Sequence, residues 1–121
     1  MKTSSRKAKG RKLQKYICSR IADIFDLNYD QEDDNCAIHS REMGQSGTDV
    51  VLRGDLNKKF PFSVECKNTE KLNLYEAIGQ AKSNQKNKFW LLVHKKNHKE
   101  PIAIMDWKTF EYLIRELKND F

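Results

Sequence analysis

A single α/β domain built around one sheet is predicted by three features of this chain. Apolar residues recur at helical spacing near both ends. They alternate at two-residue spacing in the middle. One short unbroken apolar run, Phe89 to Val93, marks a buried strand. In chain order these patterns read α-β-β-β-α-β-β-α, and 121 residues suffice for one modest core.

The elements follow in order. Leu13, Tyr16, Ile17, Ile21 and Ile24 predict a helix over about residues 8–26, with residues 1–8 left as a flexible basic arm. An acidic loop leads to a weak strand at Cys36–His39. Asp49–Arg53 and Pro61–Lys67 are richer in β-formers and read as stronger strands. Leu74, Ala77, Ile78 and Ala81 share a face of a helix over 72–85, in which Gly79 is expected to permit close helix–sheet packing. Phe89–His94 and Ile102–Met105 are strands, and Pro101 suits the first position of an edge strand. Trp107, Phe110, Leu113, Ile114 and Leu117 close the chain with an amphipathic helix, its stripe either core or a dimer face.

Composition narrows the function. Hydrophobic residues make up 38% of the chain and mean hydropathy is −0.83, and the longest apolar run, Phe89 to Val93, is far too short to span a membrane. The basic N-terminus lacks the apolar stretch of a signal peptide, so a cytoplasmic protein is expected. Three cysteines, Cys18, Cys36 and Cys66, without C-x-x-C spacing, read as reduced thiols. The net charge is +6, and its distribution is uneven. Residues 1–20 hold eight Lys or Arg and no acid. Residues 82–99 hold six Lys and no acid, whereas 23–34 hold six acids and no base. Segregated positive charge at a pI near 9.2 predicts a polyanion partner. Arg6, Lys7, Lys9, Arg11, Lys12, Arg41 and Lys82 are the candidate phosphate contacts.

The chemistry concentrates in Gly47-Thr48-Asp49-Val50-Val51-Leu52 and Phe62-Ser63-Val64-Glu65-Cys66-Lys67. On a strand Glu65 and Lys67 share one face, while Val64 and Cys66 take the other. If residues 54–60 form a hairpin loop centred on Asn57, Asp49 falls opposite Glu65, Val50 opposite Val64, and Leu52 opposite Phe62. That register pairs the apolar residues and brings the carboxylates together, with Cβ atoms roughly 4.5–5.5 Å apart. Such a pair repels unless a cation lies between. Mg²⁺ suits this oxygen donor set, with the Cys66 backbone carbonyl as a further ligand. Lys67 would sit beside the attacking water or the charge developing at phosphorus.

These residues resemble the PD-(D/E)XK nuclease superfamily, and within it small Holliday-junction resolvases of archaeal and phage type. The likeness runs from Lys9-Gly10-Arg11 through Ser46-Gly47-Thr48-Asp49 and Phe60-Pro61-Phe62-Ser63-Val64-Glu65-Cys66-Lys67 to Gln80-Ala81-Lys82. It implies a restriction-endonuclease-like fold with a central mixed sheet flanked by helices. It also implies dependence on Mg²⁺ or Mn²⁺, and homodimers that cut four-way DNA junctions by paired incisions in a prokaryotic or phage-infected cell. Asp49 and Glu65 take the positions of the metal carboxylates, Lys67 that of the catalytic lysine, and Gln80 that of a glutamine near the site. Ser46 matches a serine near substrate or metal-bound water. Thr48 replaces the proline of the motif. Gln14 stands where resolvases of the archaeal type carry a glutamate, and a neutral amide there can orient water but binds metal less well. A related nuclease for flaps or restriction-like sites, and a non-catalytic DNA-binding module on the same fold, are the alternatives. The spacing of His94 and His98 straddles a predicted turn and does not suit zinc. Trp90 reads as core, and Tyr75 as either core or a base-stacking ring.

Overall fold

The computed structural model describes residues 3–120. It is an α/β fold with two small sheets and four α-helices. Helix α1 (Thr3–Ile24) begins five residues before its expected start. Of the expected basic arm, residues 1–2 lie outside the described residues and the rest forms the first turns of α1. The buried stripe of α1 is Leu13, Gln14, Cys18, Ile21 and Ala22, while Tyr16 and Ile24 are exposed. The stripe is turned from the one the large apolar residues suggest, because the small Cys18 and Ala22 let the helix approach the sheet closely.

Strands β1 (Ile38–Ser40) and β2 (Val50–Leu52) pair antiparallel, with Ile38 opposite Leu52 and Ser40 opposite Val50. The loop expected over 54–60 is instead a short helix, α2 (Gly54–Lys59). Gly54 starts it at φ 59°, a left-handed conformation that suits glycine, and Leu56 anchors it at 4% exposure. The helix removes the hairpin centred on Asn57. Leu52 therefore pairs with Ile38 and not with Phe62, and the element order becomes α-β-β-α-β-α-β-β-α.

The second sheet has the order β3 (Phe62–Asn68), β4 (Phe89–Lys95), β5 (Ile102–Ile104). Strands β3 and β4 are parallel, and β5 is an antiparallel edge that follows Pro101. Helix α3 (Leu74–Asn84) makes the crossover that parallel strands require. Asn73 caps it by accepting a hydrogen bond from the Glu76 N–H at 3.3 Å.

Two apolar clusters divide the sheet by face. Val64 and Val93 join Leu13, Cys18 and Ile21 beneath α1. Trp90 and Leu92 join Ala77 and Ala81 beneath α3. Neighbouring residues of β4 alternate between the clusters, so helices cover both faces of the sheet, as parallel strands demand. Trp90 is core, and its indole N–H donates to Asp106 Oδ2 at 3.1 Å. A Cβ on Gly79 would meet nothing within 4 Å, so close packing is not the reason for glycine there. Helix α4 (Trp107–Leu117) spans its expected residues, yet only Thr109 is buried. Trp107, Phe110, Ile114 and Leu117 are exposed, so the stripe is not core. No helix among the described residues is long and apolar enough to cross a membrane.

Candidate active site

Strand alternation sends Val64 and Cys66 of β3 towards α1, and Ser63, Glu65 and Lys67 towards α3. Helix α3 covers this second face. Ser63 and Glu65 are both buried, Glu65 at 8% exposure.

Asp49 reaches this strand from the residue just before β2. Its backbone N–H donates to the Val64 carbonyl at 2.9 Å, and its Oδ2 accepts from the Cys66 N–H at 2.6 Å. The expected β2–β3 ladder thus reduces to hydrogen bonds at Asp49, to the residues on either side of Glu65. Residues two apart present their backbone groups to the same strand edge, so the Cys66 carbonyl also emerges on the side of Asp49. Glu65 Oε2 accepts from Asn84 Nδ2 at the end of α3, at 3.2 Å. Lys67 Nζ lies 3.9 Å from Glu65 Oε1 and is partly exposed.

Burial pushes the Asp49 carboxyl above its ordinary value, against the Cys66 N–H and the charges of Lys67 and Arg41, which pull it down. Burial also raises Glu65, and the charge of Asp49 raises it further, while Asn84 and Lys67 act in the opposite direction. A buried and a half-buried carboxylate that repel each other form a site short of positive charge, with Lys67 supplying part of it. Among the described residues no three His, Cys, Asp or Glu side chains converge. A divalent cation here would draw on Asp49, Glu65, the Cys66 carbonyl and water. Mg²⁺, which keeps several waters and takes one or two carboxylates, fits that donor set.

The surrounding residues divide into near and far. Gln80 is exposed on α3 and lines a pocket of about 150 Å³ with Lys67, Asn73, Glu76 and Ala77. Lys82 is exposed two residues further along α3. Gln14 is 4% exposed, one helical turn from Cys18, and its Nε2 donates to Met43 Sδ at 3.5 Å. Its Oε1 has no hydrogen-bond partner among the described residues, a buried acceptor suited to an ordered water. Ser46 is exposed in the loop before Asp49. Arg41 holds that loop: its Nε donates to the Thr48 carbonyl at 2.6 Å, and its backbone N–H to Asp49 O at 2.8 Å. Its guanidinium packs where a Cβ on Gly47 would stand. Arg41 therefore shapes the approach to Asp49 as well as being a candidate phosphate contact. Arg6, Lys7, Arg11 and Lys12 are exposed along α1, and Lys9 is half-buried.

Sequence reasoning missed Asn84 and Met43. Nothing local marks either one: Asn84 reaches Glu65 only because α3 folds back over β3, and Met43 reaches Gln14 only because the β1–β2 loop lies on α1 beside Gly10. His94 Nε2 is bonded to the Thr69 carbonyl at 2.8 Å, and Tyr75 is 81% exposed. The three cysteines are free, with Cys18 pushed up to about 12 by burial. No family model, curated protein or solved structure matches this chain.

Proposed function

We propose that the protein is a metal-dependent DNA endonuclease that hydrolyses phosphodiesters in branched DNA, acting on four-way junctions as a homodimer. The observation that carries this reading is the proximity of Asp49, bonded to the edge of β3 from the residue before β2, to Glu65 and Lys67 on that strand. Asp49 and Glu65, each held by a donor on its carboxylate, would hold Mg²⁺ or Mn²⁺ together with the Cys66 carbonyl. The cation, when bound, supplies positive charge to the phosphate and acidifies water. The chain's own residues do the rest. The Cys66 N–H and Asn84 fix the two carboxylates in place. Lys67 places its ammonium beside the scissile phosphate, where it orients the attacking water and offsets charge developing on the phosphoryl oxygens. Gln80, on the same side of the sheet as Lys67, is placed to orient substrate or water.

The resemblance of the Asp49, Glu65-x-Lys67 and Gln80 pattern to small junction resolvases supports the choice of branched DNA. A four-way junction offers two equivalent cutting points, which a two-fold dimer with one centre per subunit matches. The uncovered apolar face of α4 supports self-association. The test is a cleavage panel of junction, flap, duplex and single strand with Mg²⁺, Mn²⁺ or Ca²⁺, with products mapped. Paired symmetric cuts confined to the junction are expected. Cutting of flaps or duplex alone would point to another nuclease of the same kind, and no cutting of any form would leave a DNA-binding module.

A further inference from the structure

The two acid-free basic segments, far apart in sequence, form opposite walls of one cleft. It measures about 840 Å³ and lies between α1 and the β4–β5 turn, apart from the carboxylate pair. Lys9 and Lys12 line it from the helix, and Lys95 and Lys99 from the turn, with Glu100 as the one acid among the lining residues. Its walls are tied together. Lys9 Nζ donates to Asn97 Oδ1 at 2.8 Å across 88 residues of sequence, and the Asn97 N–H donates to the Glu70 carboxylate at 3.1 Å. Tyr16, 47% exposed, presents its ring in the same lining.

We propose that this cleft holds a single nucleic-acid strand, its phosphates on Lys9, Lys12, Lys95 and Lys99 and one base stacked on Tyr16. The combination of a basic groove with an exposed ring is what sequence-tolerant single-strand binding requires. A duplex keeps its base faces stacked inside and would leave Tyr16 without a role. An acidic peptide would use the lysines but has no ring face to offer the tyrosine. Asn68, also in the lining, is the residue after Lys67, roughly 3.3 Å of strand rise away. Successive strand residues point to opposite faces, so Asn68 faces α1, where its Nδ2 donates to the Lys9 carbonyl, and the cleft opens on the other side of the sheet from Glu65 and Lys67. The binding itself is independent of cutting; only the identity of the strand, as an arm of the branched substrate, rests on the nuclease reading.

The experiment is fluorescence anisotropy of the full chain with a labelled oligothymidylate of about 12 nucleotides, in EDTA across a salt series. EDTA separates the outcome from that of the nuclease reading. The double variant Lys95→Ala/Lys99→Ala is expected to bind about tenfold more weakly, with the log–log salt slope reduced by about 1.4, or 0.7 per lost phosphate contact. Tyr16→Ala is expected to lose about tenfold, whereas Tyr16→Phe retains wild-type affinity. Circular dichroism confirms that each variant is folded. Wild-type affinity and slope in the double lysine variant would overturn the proposal. So would duplex binding as tight as single strand without a Tyr16 effect, or equal competition by a polyglutamate of matched charge.

Discussion

At the scale of single residues, Glu65 is the most informative. Its folded carboxyl lies above the ordinary 4.5, first from burial and then from Asp49. In the window above that value the folded protein holds a proton that the unfolded chain has released. Stability therefore falls as pH rises through the folded value, and below 4.5 the penalty is absent. Glu65→Gln removes this penalty. It should melt a few degrees higher than wild type, about 3 °C at neutral pH, and show no such gain near pH 4. Mg²⁺ should narrow the gap by raising only the wild type, while Glu65→Gln abolishes cleavage and retains junction binding. Thermal melts with and without Mg²⁺, beside a gel-shift assay, check all three. Asn84 is a positioning residue for the same carboxylate. Its hydrogen bond lowers Glu65, so Asn84→Ala should move the acid limb of the cleavage–pH profile to higher pH. An unmoved limb would separate Glu65 from the chemistry. Gly79 is exposed in the middle of α3 with open space about it. Gly79→Ala should stabilise the protein by about 1 kcal/mol in urea unfolding.

At the scale of elements, α2 decides how the carboxylates meet. A tight hairpin would have continued the β2–β3 ladder past Asp49. The six-residue helix lets the strands diverge, and only the Asp49 backbone and carboxylate remain bonded to β3. Its single buried residue, Leu56, fastens this connection to the core. Leu56→Ala should cost about 2–3 kcal/mol of stability, measured by denaturant titration. A surface loop would lose far less. The cover that α3 lays on the second face of β3 desolvates Glu65 and raises its carboxyl above the ordinary value.

At the scale of the whole molecule, α4 is the element whose apolar face is uncovered in the single chain. Trp107, Phe110, Ile114 and Leu117 are exposed at spacings of three, four and three residues, the seam that pairs two helices. A two-fold axis through this face would bury the same residues of both copies. Sedimentation velocity at tens of micromolar should show a dimer for wild type and a monomer for Phe110→Glu/Ile114→Glu. A monomeric wild type would remove α4 as the self-association face. The double variant should also cut junctions singly instead of in pairs.

Much was legible without coordinates, for local reasons. Strand alternation placed Glu65 and Lys67 on one face, and the apolar run Phe89–Val93 marked β4. The helical spacing of Trp107 to Leu117 set α4, and Pro101 marked the start of β5. Local patterns failed where a non-local contact won. Lys58 and Lys59 in a polar stretch gave no sign that Leu56 would be drawn into the core. Of the α1 stripe, Leu13 and Ile21 are buried and Ile17 packs on the core, but Tyr16 and Ile24 are exposed and the small Cys18 and Ala22 are buried in their place.

The sequence by itself determined most of the elements (though not α2), the separation of charge, and the shared face of Glu65 and Lys67, because side-chain period and composition act over a few residues. Only the tertiary structure decided which faces are covered, that Asn84 grips Glu65, and that two basic segments close on one cleft. Those outcomes depend on the crossover through α3 and the packing of α1, contacts between residues tens of positions apart that no local pattern encodes.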